Sequence, residues 1–168
     1  MSGDLPVTRR ALLAGGAAAA GAALLRPSPA LAQAAREAGA LTNLLRIELV
    51  AVFAYDEALR RLGGEAARLA RSLREHEAAH AEALSEALTA MHWPLPRSPE
   101  AVDEVELPSV RVALDGDDAA AGLVEVARLS EQAYRLAIGR LREAGHIQLA
   151  ATILGAEAAH LVAWRAVR

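Results

Sequence analysis

The tetrapeptide Glu-Ala-Ala-His occurs twice in the chain, as Glu77–His80 and Glu157–His160. Within a helix, a spacing of three residues places a carboxylate and an imidazole on one face, one turn apart. Carboxylate oxygens and imidazole nitrogens are ligands that suit iron and manganese. The sequence contains no cysteine, which excludes thiolate metal sites, disulfides and thiol catalysis. The spacing predicts either a metal site built from both motifs or two buried pairs in which the Glu and the His compensate each other.

The two motifs belong to a longer internal repeat. Tyr55 precedes the first motif by 22 residues and Tyr134 precedes the second by 23. We expect both tyrosines to be core residues whose hydroxyls find partners, with a redox role beside the metal as the alternative. A third Glu-x-x-His, Glu143–His146, spans Gly145 and is interpreted as a solvated helix end. His76, directly before the first motif, is the weakest ligand candidate.

Four segments with the helical period position these residues. The period predicts helices over 34–62, 65–92, 117–145 and 147–168, and no segment alternates as a strand does. Gly63-Gly64 separates the first two helices, whereas about 24 proline-containing residues, 93–116, separate the second from the third. The pattern predicts an all-α fold: a four-helix bundle of ferritin-like connectivity, in which two antiparallel hairpins are joined by one long crossover.

The first 32 residues have the order of an export signal. Arg9-Arg10 precedes an apolar stretch, residues 11–25, that is too short to span a bilayer. Ala30–Ala32 predicts cleavage before Gln33, leaving the domain 33–168 with no membrane span; the alternative is an uncleaved anchor. The segment resembles a twin-arginine signal. That resemblance implies recognition by the twin-arginine translocation machinery and a location in the periplasm or cell envelope.

Length and charge restrict the classes of function. The sequence has 168 residues, which is about one domain. Its formal net charge is −3, from 18 basic and 21 acidic residues. No basic excess is present to neutralise phosphates, so nucleic acid is not an expected partner.

On these residues the chain resembles the ferritin-like superfamily, in particular exported bacterial proteins related to the desiccation-related group. The resemblance covers residues 41–168 and depends on the two Glu-x-x-His motifs and on Glu48, seven residues before Tyr55. It implies a centre of two iron ions, or of manganese, that reacts with dioxygen or peroxide. In that centre Glu48 is the single carboxylate of the first helix, Glu77 and Glu157 bridge the ions, and His80 and His160 bind one ion each.

The third helix departs from the family pattern. The position that corresponds to Glu48, seven residues before Tyr134, is Ala127. Glu131, one turn further along, is the replacement ligand that we expect, or it only balances charge by pairing with Arg128 or Arg135. The alternative function is therefore a metal-free bundle that serves as a stress-related or binding module. Assembly into an oligomer is compatible with either function.

Overall fold

The computed structural model describes residues 28–116 and 118–167. The chain divides between Ala35 and Arg36, and every site residue discussed below belongs to the second unit. The described residues form no strand, and the all-α prediction is confirmed. Residues 1–27 of the predicted export signal lie outside the described residues. The helices are α1 (Pro29–Leu59), α2 (Gly64–Ala90), α3 (Pro108–Asp115), α4 (Ala119–Ile138) and α5 (Ala144–Ala166), with a 3-10 turn at Val102–Glu104.

The first hairpin joins α1 to α2 through a glycine turn. Gly64 has a φ of +58°, in the left-handed region where residues with a Cβ are strained. Beyond the turn, the two helices are linked by an ion pair in which Arg74 Nε lies 3.0 Å from Asp56 Oδ1. α1 ends at Leu59, three residues before the predicted boundary.

The crossover contains a helix that the sequence analysis did not predict. Residues 93–116 were expected to have no helical structure, but α3 lies within them. Pro108 begins α3, at the position where a missing N–H costs nothing, and Val110 and Leu114 bury its apolar side. Eight residues give only two buried positions, too few for a periodic pattern. α3 packs closely on α4, where a Cβ at Gly122 would lie 3.2 Å from the Ala113 carbonyl oxygen.

The second hairpin joins α4 to α5. The Asp118 side chain accepts a hydrogen bond from the Ala121 N–H at 2.9 Å, which confirms the predicted helix start at the acidic pair. The predicted end at Gly145 is wrong, because α4 ends at Ile138. Gly145 lies instead in the first turn of α5, whose N-cap is Glu143.

A carboxylate from α1 caps this second turn. Glu37 is 6% exposed, and its Oε1 accepts hydrogen bonds from the N–H groups of Arg142 and Glu143, each at 2.8 Å. Burial alone would raise the pKa of Glu37, but these backbone hydrogen bonds, together with the neighbouring His146, outweigh burial and lower it. A lowered carboxylate pKa means that the stabilising contribution is present above the pKa of the unfolded chain and is lost as the pH falls.

Glu37→Ala is expected to lower the free energy of unfolding by about 1 to 2 kcal/mol at pH 7, because two N–H groups at the start of α5 lose their acceptor. The difference from the unsubstituted chain should shrink below about pH 4.5. Urea unfolding followed by circular dichroism, at pH 7 and at a pH below about 4.5, measures this difference in the free energy of unfolding. Glu82→Ala, at an exposed position of α2, is the matched control. Equal losses in the two variants would contradict the capping role.

The apolar core of the bundle is divided into two clusters. One includes Tyr55, Leu73, Leu123 and Trp164, and the other includes Leu41, Leu84, Tyr134 and Ile153. Along each of the helices α1, α2, α4 and α5, the buried residues of one cluster are followed by at least one buried polar residue and then by the buried residues of the other cluster. These residues form the polar layer: Glu48, Glu77, Ser130, Glu157 and His160.

Two helices, Pro29–Leu59 and Ala144–Ala166, are long and apolar enough to cross a membrane by length and composition alone. The first carries the buried Glu48 and the second carries the buried Glu157. Core helices of globular bundles pass the same test, and the burial of these two carboxylates agrees with packing in a protein core.

Candidate metal centre

Four side chains from three helices meet at the level of the polar layer, and three of them belong to it. Glu48 of α1, Glu77 and His80 of α2, and Glu157 of α5 each offer one ligand atom, and these atoms all lie within 4.8 Å of one another. His80 Nδ1 lies 3.2 Å from Glu157 Oε1, 3.6 Å from Glu77 Oε2 and 3.7 Å from Glu48 Oε2. The three carboxylates are fully buried. We call these four residues the ligand cluster.

The ligand cluster has the size and the unmet bonding capacity that a cation needs. Two ligand atoms on opposite sides of an ion, each about 2.1 to 2.2 Å from it, lie about 4.3 Å apart. The observed spread is close to that value. Among the described residues, five buried ligand atoms have no hydrogen-bond partner, and a cation would satisfy all of them together. They are Glu48 Oε2, Glu77 Oε2, His80 Nδ1 and both carboxylate oxygens of Glu157.

The charges of the cluster make protons and cations compete for it. Burial, with the charges of Glu77 and Glu157, raises the pKa of Glu48 well above its usual value. Burial also acts to raise the pKa of Glu77, but hydrogen bonds from His160 and His80 lower it to about 2. Burial lowers the pKa of His80, but the three carboxylates outweigh it and raise that pKa to about 11. Binding of a cation must therefore displace protons from the cluster.

Both tyrosines of the repeat are buried and hydrogen-bonded. The Tyr134 hydroxyl donates to Glu48 Oε1, and the Tyr55 hydroxyl accepts a hydrogen bond from Trp164 Nε1 at 3.0 Å. Burial and the nearby carboxylates raise the pKa of both phenols, so both stay protonated. Tyr134 thus holds one oxygen of Glu48 and leaves the other directed to the cluster.

His160 lies beside the ligand cluster rather than within the group of four. Its Nδ1 is 3.1 Å from Glu77 Oε1, and its Nε2 is 3.3 Å from His76 Nδ1. Burial lowers the pKa of His160, but Glu157 and Glu77 outweigh burial and raise it to about 9. The structure therefore brings this histidine to the carboxylates while both of its ring nitrogens already face partners.

The structure does not bring Glu131 to the ligand cluster. Its Oε1 lies 3.0 Å from Arg135 Nη1, and the side chain is 25% exposed. The geometry therefore does not support the prediction that Glu131 replaces the missing ligand. It agrees with the alternative, in which Glu131 balances charge by pairing with Arg135. Ala127, at the position where the family pattern has a carboxylate, is buried. None of the four residues of the ligand cluster comes from α4, so α4 supplies no replacement for that carboxylate within the cluster.

α4 instead contributes Ser130 to the polar layer, a residue that the sequence analysis missed. Ser130 is fully buried, and its Oγ has no hydrogen-bond partner among the described residues. The sequence contained one indication that Ser130 is buried: it lies one turn before Tyr134, where a small polar residue interrupts an apolar stripe.

Comparisons with known proteins agree with this architecture. A family model described as a ferritin-like domain matches residues 36–168. The crystal structure of a conserved hypothetical protein from Mycobacterium tuberculosis superposes with a TM-score of 0.69 at 17% sequence identity, covering 80% of this chain and 92% of that one. At this identity the likeness concerns the fold alone. A search of curated proteins finds no match.

Proposed function

Because the chain belongs to the ferritin-like domain family, we propose that it binds iron, or manganese, through Glu48, Glu77, His80 and Glu157. The observation that carries the proposal is the convergence of three buried carboxylates and one imidazole within 4.8 Å. This oxygen-rich set with one nitrogen suits iron and manganese. The cluster supplies four protein ligands to one ion. A dinuclear centre of the family type would need a further carboxylate at position 127, where the chain has alanine.

We further propose that the reaction is oxidation of Fe(II) by dioxygen or peroxide. When bound, the metal supplies one-electron redox chemistry. With peroxide as the oxidant, two Fe(II) substrate ions each lose one electron, and hydrogen peroxide takes up two electrons and two protons to form two water molecules. The chain holds Glu48 through the Tyr134 hydroxyl, and its two apolar clusters restrict water on either side of the polar layer.

The proposed place of action is the cell envelope. Arg9-Arg10 and the apolar stretch after them support export by the twin-arginine machinery, which accepts proteins that have already folded. The metal would then enter before export. Mass spectrometry of the mature protein from the expressing cell tests this proposal, because a chain beginning at Gln33 supports it and an intact N-terminus contradicts it.

The second candidate function is a metal-free binding or stress-related module. Two observations favour it: Ala127 stands where the family pattern has a carboxylate, and Glu131 pairs with Arg135 instead of joining the ligand cluster. In that case the histidines and carboxylates of the polar layer compensate one another as buried ion pairs.

Elemental analysis after anaerobic loading with Fe(II) separates the two functions. We expect at least one tightly bound iron per chain after desalting. Free metal at a hundred times its dissociation constant should raise the free energy of unfolding by about 2.7 kcal/mol. Admission of air or peroxide should then produce the near-ultraviolet absorbance of Fe(III) faster than in a protein-free control. Absence of bound metal after loading with Fe(II) and with Mn(II) would favour the metal-free module.

A further inference from the structure

Two imidazoles meet on the solvent side of the ligand cluster. His76 is exposed, whereas His160 is 3% exposed. His76 Nδ1 and His160 Nε2 lie 3.3 Å apart. Two nitrogens that bind one tetrahedral ion, each at about 2.1 Å, are separated by about 3.4 Å. The distance between the two ring nitrogens therefore fits a shared metal ion.

The other nitrogen of His160 has the partner that metal-binding histidines usually have. His160 Nδ1 lies 3.1 Å from Glu77 Oε1. An ionised carboxylate only accepts hydrogen bonds, so Nδ1 carries a hydrogen, and in the neutral ring Nε2 is the nitrogen that offers a lone pair to a metal ion. A carboxylate in this position fixes the orientation of the ring and increases the basicity of the ligating nitrogen.

We propose that His76 Nδ1 and His160 Nε2 form a second cation site, which takes a divalent transition metal from solvent and delivers it to the ligand cluster. Imidazole nitrogens suit Fe(II), Co(II) and Zn(II), and water completes the coordination. Binding at this pair is independent of the redox chemistry proposed above. The delivery role rests on the proposed function, because it needs the ligand cluster to bind metal.

The arrangement of the rings supports delivery. The His160 ring stacks on the His76 ring with a centroid separation of 5.5 Å and on the His80 ring with a separation of 6.0 Å. His80 belongs to the ligand cluster, with Nδ1 3.2 Å from Glu157 Oε1. Three imidazoles therefore form a row from the exposed side of α2 to the buried carboxylates, and Glu77 contacts both His160 and His80.

The test uses Co(II) as the probe with the unsubstituted chain and with His76→Ala, at a pH near 8. Calorimetry and the visible absorbance of Co(II) count the ions and report their ligands. We expect two ions per chain in the unsubstituted protein. In His76→Ala, the second ion should bind on the order of tenfold or more weakly. The first ion should bind to the same extent but fill the cluster more slowly in stopped-flow mixing.

His92→Ala is the matched control, because it removes another exposed histidine. It should change neither the count nor the rate. Unchanged second-ion affinity and filling rate in His76→Ala would overturn the proposal. A single ion that is lost in Glu157→Gln and unaffected by His76→Ala would also overturn it, while leaving the ligand cluster established. Failure of every variant to bind Co(II) would overturn the second site and the proposed function together.

Discussion

Glu157→Gln is expected to abolish tight metal binding at the ligand cluster. Both oxygens of Glu157 are buried without a hydrogen bond among the described residues, and one lies 3.2 Å from His80 Nδ1. The amide keeps the shape of the side chain but loses its charge and is a much poorer ligand. Partners one step removed from a metal usually contribute 10-fold to 100-fold in affinity, so loss of a direct ligand should weaken binding by about a hundredfold or more.

The measurement is iron and manganese per chain after desalting, together with titration calorimetry of Mn(II). Glu131→Gln is the control, since it removes a carboxylate that pairs with Arg135 on the surface. That variant should bind metal as the unsubstituted chain does. If Glu131→Gln lost metal and Glu157→Gln kept it, the replacement-ligand hypothesis from the sequence would be correct and the ligand cluster would be misassigned.

Glu48→Gln is expected to have opposite effects on the metal-free and the metal-loaded protein. Burial and the charges of Glu77 and Glu157 raise the pKa of Glu48. A carboxyl with a raised pKa binds its proton more tightly in the folded chain, so at neutral pH its ionisation destabilises the fold. The neutral amide removes this cost and can still accept the hydrogen bond from Tyr134. We expect the metal-free variant to be more stable by about 1 to 3 kcal/mol.

Metal should no longer stabilise this variant, because one of the four ligands is lost. Urea unfolding with a chelator and with excess Mn(II) gives both quantities. The stability of the metal-free unsubstituted chain should also decline as the pH rises above about 4.5, and Glu48→Gln should reduce that decline. A metal-free Glu48→Gln protein that is less stable than the unsubstituted chain would show that the carboxylate acts as a structural anion in the polar layer.

Part of the fold was predictable because its signals are local. The period of apolar residues identified four long helices, Gly63-Gly64 marked the first turn, and the acidic pair before Ala119 marked the start of α4. α3 was not predictable by the same reasoning. It is short, and it is helical because its buried side packs on α4, which is a contact between segments rather than a property of its own sequence.

The sequence did not predict which residue of α4 faces the polar layer. Relative to Tyr134, Glu131 lies about 60° to one side of the helix and Ser130 about 40° to the other. Periodicity defines an apolar stripe about 100° wide, so it accommodates both residues. The rotation of α4 against its neighbours buries Ser130 and leaves Glu131 with Arg135.

The amino-acid sequence was sufficient to establish the helical fold, the two Glu-x-x-His faces and the absence of a carboxylate at position 127, because each depends on residue type and spacing along one helix. The tertiary structure decided which carboxylates share one ligand cluster, that Tyr134 holds Glu48, and that His76 meets His160. These are contacts between helices. They depend on the rotation and offset of each helix in the bundle, which side-chain packing across the whole core determines.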